Sequence, residues 1–280
     1  MTERSADRIR AHYEIERALA DRLRAATRQE RRLLYSALYD ELFRRVPDHP
    51  LLTRSSSPLE AQQVLRTQVK FLRRFIKSTV TFLEVGAGDC ALSLEVAKSV
   101  RQVHAVDVSG EIAKTSATPQ NFTLSLSDGC SVPVADGSVD VAYSNQLMEH
   151  LHPEDAFEQL ENIYRVLAPH GVYLCVTPSR LTGPHDVSSH FDTAATGFHL
   201  REYTISELVA LFRQVGFSRV CAYVGAKGYY ARCPVGPLMF CETVLGAMPE
   251  RARNLIAHSL LFRMLLNVRL GAFKGHDSPD

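Results

Sequence analysis

The run Glu84-Val85-Gly86-Ala87-Gly88-Asp89-Cys90 has residue types and spacing that suit a ligand. It lies where an apolar, β-branched stretch gives way to a helical pattern. Glycines fit such a place because the chain turns tightly and its backbone must approach a bound group with no Cβ in the way. Roughly 20 residues on, Asp107 stands at the end of the next apolar stretch. A carboxylate there accepts hydrogen bonds from both hydroxyls of a ribose. Ser127-Asp128-Gly129 adds an acid for an adenine amino group and a backbone N–H for the ring. Together these residues describe a nucleoside site at the carboxyl ends of parallel strands. With Ala91 the glycines also match G-x-G-x-x-A, which suits NAD, so alone they leave the ligand open.

The elements that position these residues show as periodicities. Residues 1–45 read as helix, with Ile15, Leu19, Leu23 and then Leu34, Leu38, Leu42 on every fourth position. Val46 to Pro58 is a proline- and serine-rich linker, and a second helix runs from Leu59 to Lys77. From there strands and helices alternate. Strands are expected at Thr79 to Val85, Gln102 to Val108, Phe122 to Leu126, Val139 to Ser144 and Gly171 to Thr177. Helices are expected at Ala91 to Ser99, near Glu111, and from Ala156 to Leu167. That order implies a parallel sheet with helices on both faces. A loop-rich insert follows Pro178, then a helix from Ile205 to Val215 and strands at Phe217 to Val224 and Tyr229 to Cys233. Leu238 to Lys274 reads as helix, apolar with basic residues spaced through it.

Composition narrows the function classes. Lys+Arg number 32 against 31 Asp+Glu, a formal net charge of +1, so no overall field favours nucleic acid. The six cysteines form no CxxC pair, and reduced, buried thiols in the cytoplasm are expected. No Cys/His spacing matches a zinc site. Met1 to Arg32 lacks the apolar core of a signal peptide, and no uncharged apolar run reaches the roughly 18 residues of a membrane span.

Further motifs follow in order. Pro133-Val134-Ala135-Asp136-Gly137-Ser138-Val139-Asp140-Val141 leads into the fourth strand, and Ser144-Asn145-Gln146-Leu147-Met148-Glu149-His150 closes it. Val166-Leu167-Ala168-Pro169-His170-Gly171 ends the next helix. With E-V-G-A-G and Asp107, this set resembles the class I S-adenosylmethionine (SAM)-dependent methyltransferases over residues 78–224, most closely the ubiquinone- and menaquinone-biosynthesis type. The resemblance implies a Rossmann-like, doubly wound, mostly parallel α/β sheet. It implies that Gly86 and Gly88 border the amino-acid end of SAM, with Glu84 supporting their loop. Asp107 takes the ribose hydroxyls, Val108 flanks the adenine, Asp128 and Gly129 hold its edge, and Asn145 and Gln146 lie near the sulfonium. Some quinone O-methyltransferases carry a second acid three residues before the E-H pair and hold a divalent metal there. Here that position is Gln146, so no metal is expected.

The expected reaction is methyl transfer from SAM to a small-molecule acceptor, with S-adenosylhomocysteine as product. A hydroxyl oxygen is the first choice of acceptor atom, and nitrogen or carbon the alternative. An NAD-dependent oxidoreductase and a non-catalytic SAM-binding protein are the competing classes. For a hydroxyl, His150 or His190 is the candidate general base. The insert 183–203 mixes His185, His190 and His199 with Phe191, Phe198 and Tyr203, a composition that suits a pocket wall. Tyr35 and Tyr39, one helical turn apart, are candidates to line a lid over the substrate. The division expected is a helical lid over 1–77, a SAM-binding domain over 78–233 and a C-terminal helical appendage over 234–280. The five positive charges between Arg251 and Lys274, with no acid among them, suit a peripheral membrane or subunit contact through 251–274. Oligomeric state is not legible.

Overall fold

β1 (Thr81–Val85) is buried along its whole length, which is why, Glu84 apart, it carries no exposed polar face in its sequence. The computed structural model describes residues 4–49, 58–108, 118–257 and 259–275. Around β1 the chain lays down β2 (Gln102–Asp107), β3 (Phe122–Leu126), β4 (Val139–Asn145), β5 (Leu167–Thr177), β6 (Arg219–Ala226), β7 (Tyr229–Pro234) and β8 (Val268–Phe273). Their order is β3-β2-β1-β4-β5-β8-β6-β7 in one sheet. The first five strands of that order are mutually parallel. The chain leaves β1 toward β2 on one side and returns to β4 on the other. Such a reversal opens a crevice at the carboxyl ends of the two strands, where ligands of α/β sheets bind.

The helices are α1 (Ala6–Ala25), α2 (Arg28–Arg45), α3 (Pro58–Leu72), α4 (Ala91–Ala97), α5 (Pro153–Val166), α6 (Ile205–Val215), α7 (Val235–Gly246), α8 (Glu250–Ala257) and α9 (Leu260–Leu266). The doubly wound α/β architecture agrees with expectation. The helix expected near Glu111 and residues 50–57 of the expected linker lie outside the described residues.

Two expectations need correction. Residues 1–45 form two helices, because Thr27 caps a new one. Its hydroxyl accepts from the Glu30 N–H, and the Glu30 carboxylate accepts from the Thr27 N–H at 2.8 Å. This reciprocal box satisfies two amides that a continuous helix would have satisfied itself. The second correction is at the C-terminus. Leu238 to Lys274 is not helical to its end: β8 inserts between β5 and β6, antiparallel to both. A short apolar run does not distinguish strand from helix by period, and the leucine spacing favoured helix. The segment 234–280 is therefore no purely helical appendage, since it completes the sheet. Two of its positive charges also face protein. Lys274 donates to the carbonyls of Tyr164 and Leu167 at 3.1 and 3.0 Å, and Arg269 lies over the Tyr230 ring at 4.7 Å. Neither is free to face a membrane. No helix among the described residues is long and apolar enough to cross one. All six cysteines are free thiols, four of them buried.

Candidate active site

The glycine turn after β1 is held by its neighbour strand. The amides of Gly86 and Ala87 donate to the Val106 carbonyl at 2.8 and 3.3 Å, and the Gly88 amide donates to Asp107 Oδ2 at 2.7 Å. Asp107 thus ties the turn together. Gly86 has φ +75°, and a Cβ there would come within 3.1 Å of the Leu147 side chain. Behind the turn, Glu84 is buried and accepts from Ser93 Oγ at 2.6 Å, which links β1 to α4. Burial pushes the Glu84 carboxyl up to about 8, against the lowering effect of Ser93, with Asp89 and Asp107 adding repulsion.

Opposite the turn, α2 closes the cleft with Tyr35, Tyr39 and Phe43, a stripe at every fourth residue, together with Asp40. Val108, Ser127, Gly129, Gln146, Leu147 and His150 complete the lining beside Gly86, Gly88 and Asp107. Gly129 has φ +92°, and a Cβ there would lie 2.7 Å from the Tyr35 ring. The close approach of α2 and this loop therefore requires glycine. Gln159 Nε2 donates to the Gly129 carbonyl at 2.7 Å. Tyr35 is anchored by its hydroxyl, which donates to Asp155 Oδ2 at 2.6 Å and accepts from the His152 amide at 3.0 Å.

A second cavity adjoins the first, and Tyr39, Gln146 and His150 line both. Its other walls include Glu16, His49, His185, Asp186, His190, Phe198 and His199. The insert reaches this place because Arg201 N donates to the Glu149 carbonyl at 3.1 Å, and because Asp186 Oδ2 accepts from the amides of Gly197 and His199 at 3.0 and 3.3 Å. Phe198 stacks on Tyr39 with ring centroids 4.9 Å apart. His150 Nδ1 contacts the Phe198 carbonyl at 3.1 Å. Because that oxygen only accepts, the Nδ1 carries the proton and Nε2 keeps its lone pair. Desolvation, with the nearby His199, lowers the imidazole to about 3. Burial raises Glu149 to about 7, opposed by His199 and Thr177. Burial alone would lower His199. Its bond to Glu202 and the charges of Glu149, Glu202 and Asp186 outweigh that and raise it.

The expected residues do not all gather at these two cavities. Asn145 sits on the face of β4 shared with Tyr143, and both line a separate cavity with Val176 and Arg269. Side chains alternate along a strand, so only Gln146, beyond the strand and at φ +56°, lines the cleft. Asp128 turns back on its own loop. It accepts from the amides of Cys130 and Ser131 at 3.0 and 2.8 Å and pairs with Arg32 at 3.1 Å. Partial burial opposes these partners, yet they hold the carboxyl below its usual range. Phe191 packs on Tyr13 at 4.5 Å. Tyr203 is a core residue, 1% exposed. His185 is exposed at the cavity rim, where its Nε2 meets Thr182 Oγ1 at 3.0 Å, and His190 is exposed on the same rim. Sequence reasoning missed Phe43, whose signal was the continuation of the Tyr35–Tyr39 stripe. It also missed Glu16 and His49, for which no local motif exists.

The methyltransferase-domain family matches residues 83–175. A protein of Mycolicibacterium smegmatis named "probable S-adenosylmethionine-dependent methyltransferase" is 32% identical over 136 residues, which is 48% of this chain and 51% of the relative. The chain spans about half the length of the curated relatives it matches. Among solved structures, a SAM-dependent methyltransferase from Archaeoglobus fulgidus superposes with a TM-score of 0.50 at 18% identity, covering 76% of this chain and 94% of that one. Phosphoethanolamine N-methyltransferase 2 of Haemonchus contortus, solved with phosphomonomethylethanolamine and S-adenosylhomocysteine, gives a TM-score of 0.50 at 18% identity, covering 77% and 53%. These two structural likenesses establish the fold.

Proposed function

We propose that this chain, whose residues 83–175 belong to the class I SAM-dependent methyltransferases, transfers the SAM methyl group to a hydroxyl oxygen of a small molecule held in the histidine-lined cavity. The observation that carries this reading is the shared wall. A group bound against Gly86 and Asp107 and a group bound among the insert histidines meet at Tyr39, Gln146 and His150. Two reactants held in contact need only be aligned for an in-line displacement. The acceptor oxygen attacks the methyl carbon, the C–S electron pair returns to sulfur, and the hydroxyl proton passes to His190 on the cavity rim or to water there. Carboxylates and imidazoles around the second cavity favour a hydroxyl, because they accept its hydrogen bond. His150 is a weak base at neutral pH, given how far burial lowers it, so its role in this reading is to accept a hydrogen bond.

Asp107 ties ligand and loop at once, with Oδ2 on Gly88. Asp107→Ala is expected to weaken SAM binding by about 1–3 kcal/mol, because a charged acceptor is lost. Calorimetry checks this, and unchanged affinity in the folded variant would remove Asp107 from the site. The reaction itself is tested by incubating the protein with SAM carrying a ¹³C methyl and fractionated cell metabolites. The carbon shift of the labelled product separates oxygen, nitrogen and carbon acceptors. Label on nitrogen or carbon overturns the oxygen assignment, and SAM binding without transfer to any fraction overturns the enzyme reading.

A further inference from the structure

We propose that the cavity between α3 and the Tyr143–Asn145 face of β4 binds a small organic monocarboxylate, held by Arg269 and Asn145. The site goes beyond the methyl transfer proposed above and does not depend on which atom accepts the methyl group. One wall comes from α3, where Gln63, Val64, Thr67, Gln68 and Phe71 recur at the spacing of a single helix face. The other wall comes from Tyr143 and Asn145 of β4, Val176 of β5, Tyr230 of β7 and Arg269 of β8. The cavity measures about 600 Å³, the size of a small-molecule site. It shares no lining residue with the cleft or with the histidine-lined cavity.

Arg269 stands across from Val176 in the pairing of β5 with β8, so both side chains share this face of the sheet. The arginine is half-buried, and its Nη1 is buried with no hydrogen-bond partner. Its guanidinium carbon lies over the Tyr230 ring at 4.7 Å. That ring is braced from the other wall by Phe71, with centroids 5.2 Å apart, and the Tyr230 carbonyl accepts from Arg74 Nη2 at 2.6 Å. Stacking on a ring holds a guanidinium in place but accepts none of the hydrogen bonds in its plane. A cation left so is costly unless something negative meets it.

The protein does not supply that negative charge among the described residues. No acid lines the cavity. Glu84 sits on β1 opposite Tyr143, but burial raises its carboxyl to about 8 and Ser93 occupies one of its oxygens. At neutral pH it therefore holds its proton and cannot neutralise Arg269.

The lining also selects the ligand. A guanidinium fork matches a carboxylate through two parallel hydrogen bonds, and the Asn145 amide adds a donor from the end of β4. One positive charge balances one negative charge, which favours a carboxylate over a phosphate monoester. Val64, Phe71, Val176 and the Tyr230 ring give the cavity an apolar side, so the carboxylate carries a hydrocarbon or aromatic body. Asn145 is followed by Gln146, which lines both the cleft and the histidine-lined cavity. The carboxylate site thus lies across one strand end from the place of transfer. Such a carboxylate has two sources, the methyl acceptor itself or a separate metabolite.

The test titrates full-length protein with benzoate and with hexanoate, followed by calorimetry and saturation-transfer NMR, with and without SAM. One carboxylate per chain is expected. Benzamide should bind ~10–100-fold more weakly than benzoate, and Arg269→Met should weaken benzoate by a similar factor, since a charged hydrogen-bond pair is lost in each case. Asn145→Ala should weaken benzoate by a smaller factor. SAM affinity of Arg269→Met, measured without carboxylate, should stay at the wild-type value. Wild-type protein that binds neither carboxylate, equal binding of benzamide, or undiminished binding by folded Arg269→Met overturns the site. Phenyl phosphate bound more tightly than benzoate overturns the carboxylate assignment. A fall in SAM affinity in Arg269→Met gives the cavity to the carboxylate of SAM and overturns a separate site. The source is read with ¹³C-methyl SAM and fractionated metabolites. Label in anionic material, reduced in Arg269→Met, makes the carboxylate part of the acceptor. Label in neutral material, with benzoate still bound, makes it a separate ligand. Absence of all transfer strikes the methyltransferase reading and leaves the carboxylate site standing. If Arg269→Met does not fold, the benzamide comparison and the Asn145→Ala titration decide.

Discussion

Arg31→Ala is expected to destabilise the protein by about 3–5 kcal/mol, the cost of breaking a buried ion pair from one side. Arg31 and Asp155 are 2% and 0% exposed. The guanidinium binds the carboxylate through two nitrogens, Nε to Oδ2 at 2.6 Å and Nη2 to Oδ1 at 2.9 Å, and also reaches Glu154 and the Ala26 carbonyl. Truncation leaves the Asp155 carboxylate buried with the Tyr35 hydroxyl of α2 still donating to it. The pair joins α2 to the start of α5, so Tyr35 should lose its fixed place over Gly129 and SAM affinity should fall as well. Urea denaturation at pH 7 measures the first effect. Replacing both charges, as in Arg31→Met with Asp155→Leu, should recover much of the stability, since an apolar pair avoids the desolvation penalty. A loss below about 1 kcal/mol for Arg31→Ala would mean that water reaches the pair, which is the condition under which ion pairs contribute little.

The half of the fold around the glycine turn was legible in the sequence for a physical reason. Central parallel strands such as β1 are buried on both faces, so they appear as apolar runs, and each ends at residues whose chemistry is local. Glu84, Gly86, Gly88 and Asp107 are connected by short turns and by neighbouring strands, so their proximity follows from topology alone. The second cavity is different. His150 and His199 are brought together by contacts between loops that no period encodes, among them the bond from Arg201 N to the Glu149 carbonyl and that of His150 to the Phe198 carbonyl. Asn145 was misplaced because its side depends on where β4 ends: one residue of difference reverses the face. β8 was misread because its Leu270 continues the spacing of the α9 leucines. The break at Thr27 was readable, since Thr27 and Glu30 stand at capping-box spacing, but the leucine repeat on either side hid it.

Glu84→Gln is expected to make the protein more stable than wild type at pH 8 and about equal to it at pH 5. Burial raises the Glu84 carboxyl to about 8 from an ordinary value of 4.5, and the Ser93 hydroxyl only partly offsets this. The folded protein therefore holds a proton on Glu84 between these values, while the unfolded chain has lost it. More protons bound in the native state means stability that falls as pH rises. The contribution is full below about 4.5, declines through the window, and is gone once the pH passes about 8. The whole change amounts to roughly 3–5 kcal/mol by the pKa difference. Glutamine has no proton to lose, and its carbonyl oxygen still accepts from Ser93, so the link from β1 to α4 survives. Thermal melts of both proteins from pH 5 to pH 8 supply the measurement, with SAM binding followed at each pH. The wild-type midpoint should drop more steeply than that of Glu84→Gln. Parallel profiles would show that water or a rearranged Ser93 solvates the carboxylate, and that the residue beneath the glycine turn is ionised in the folded protein.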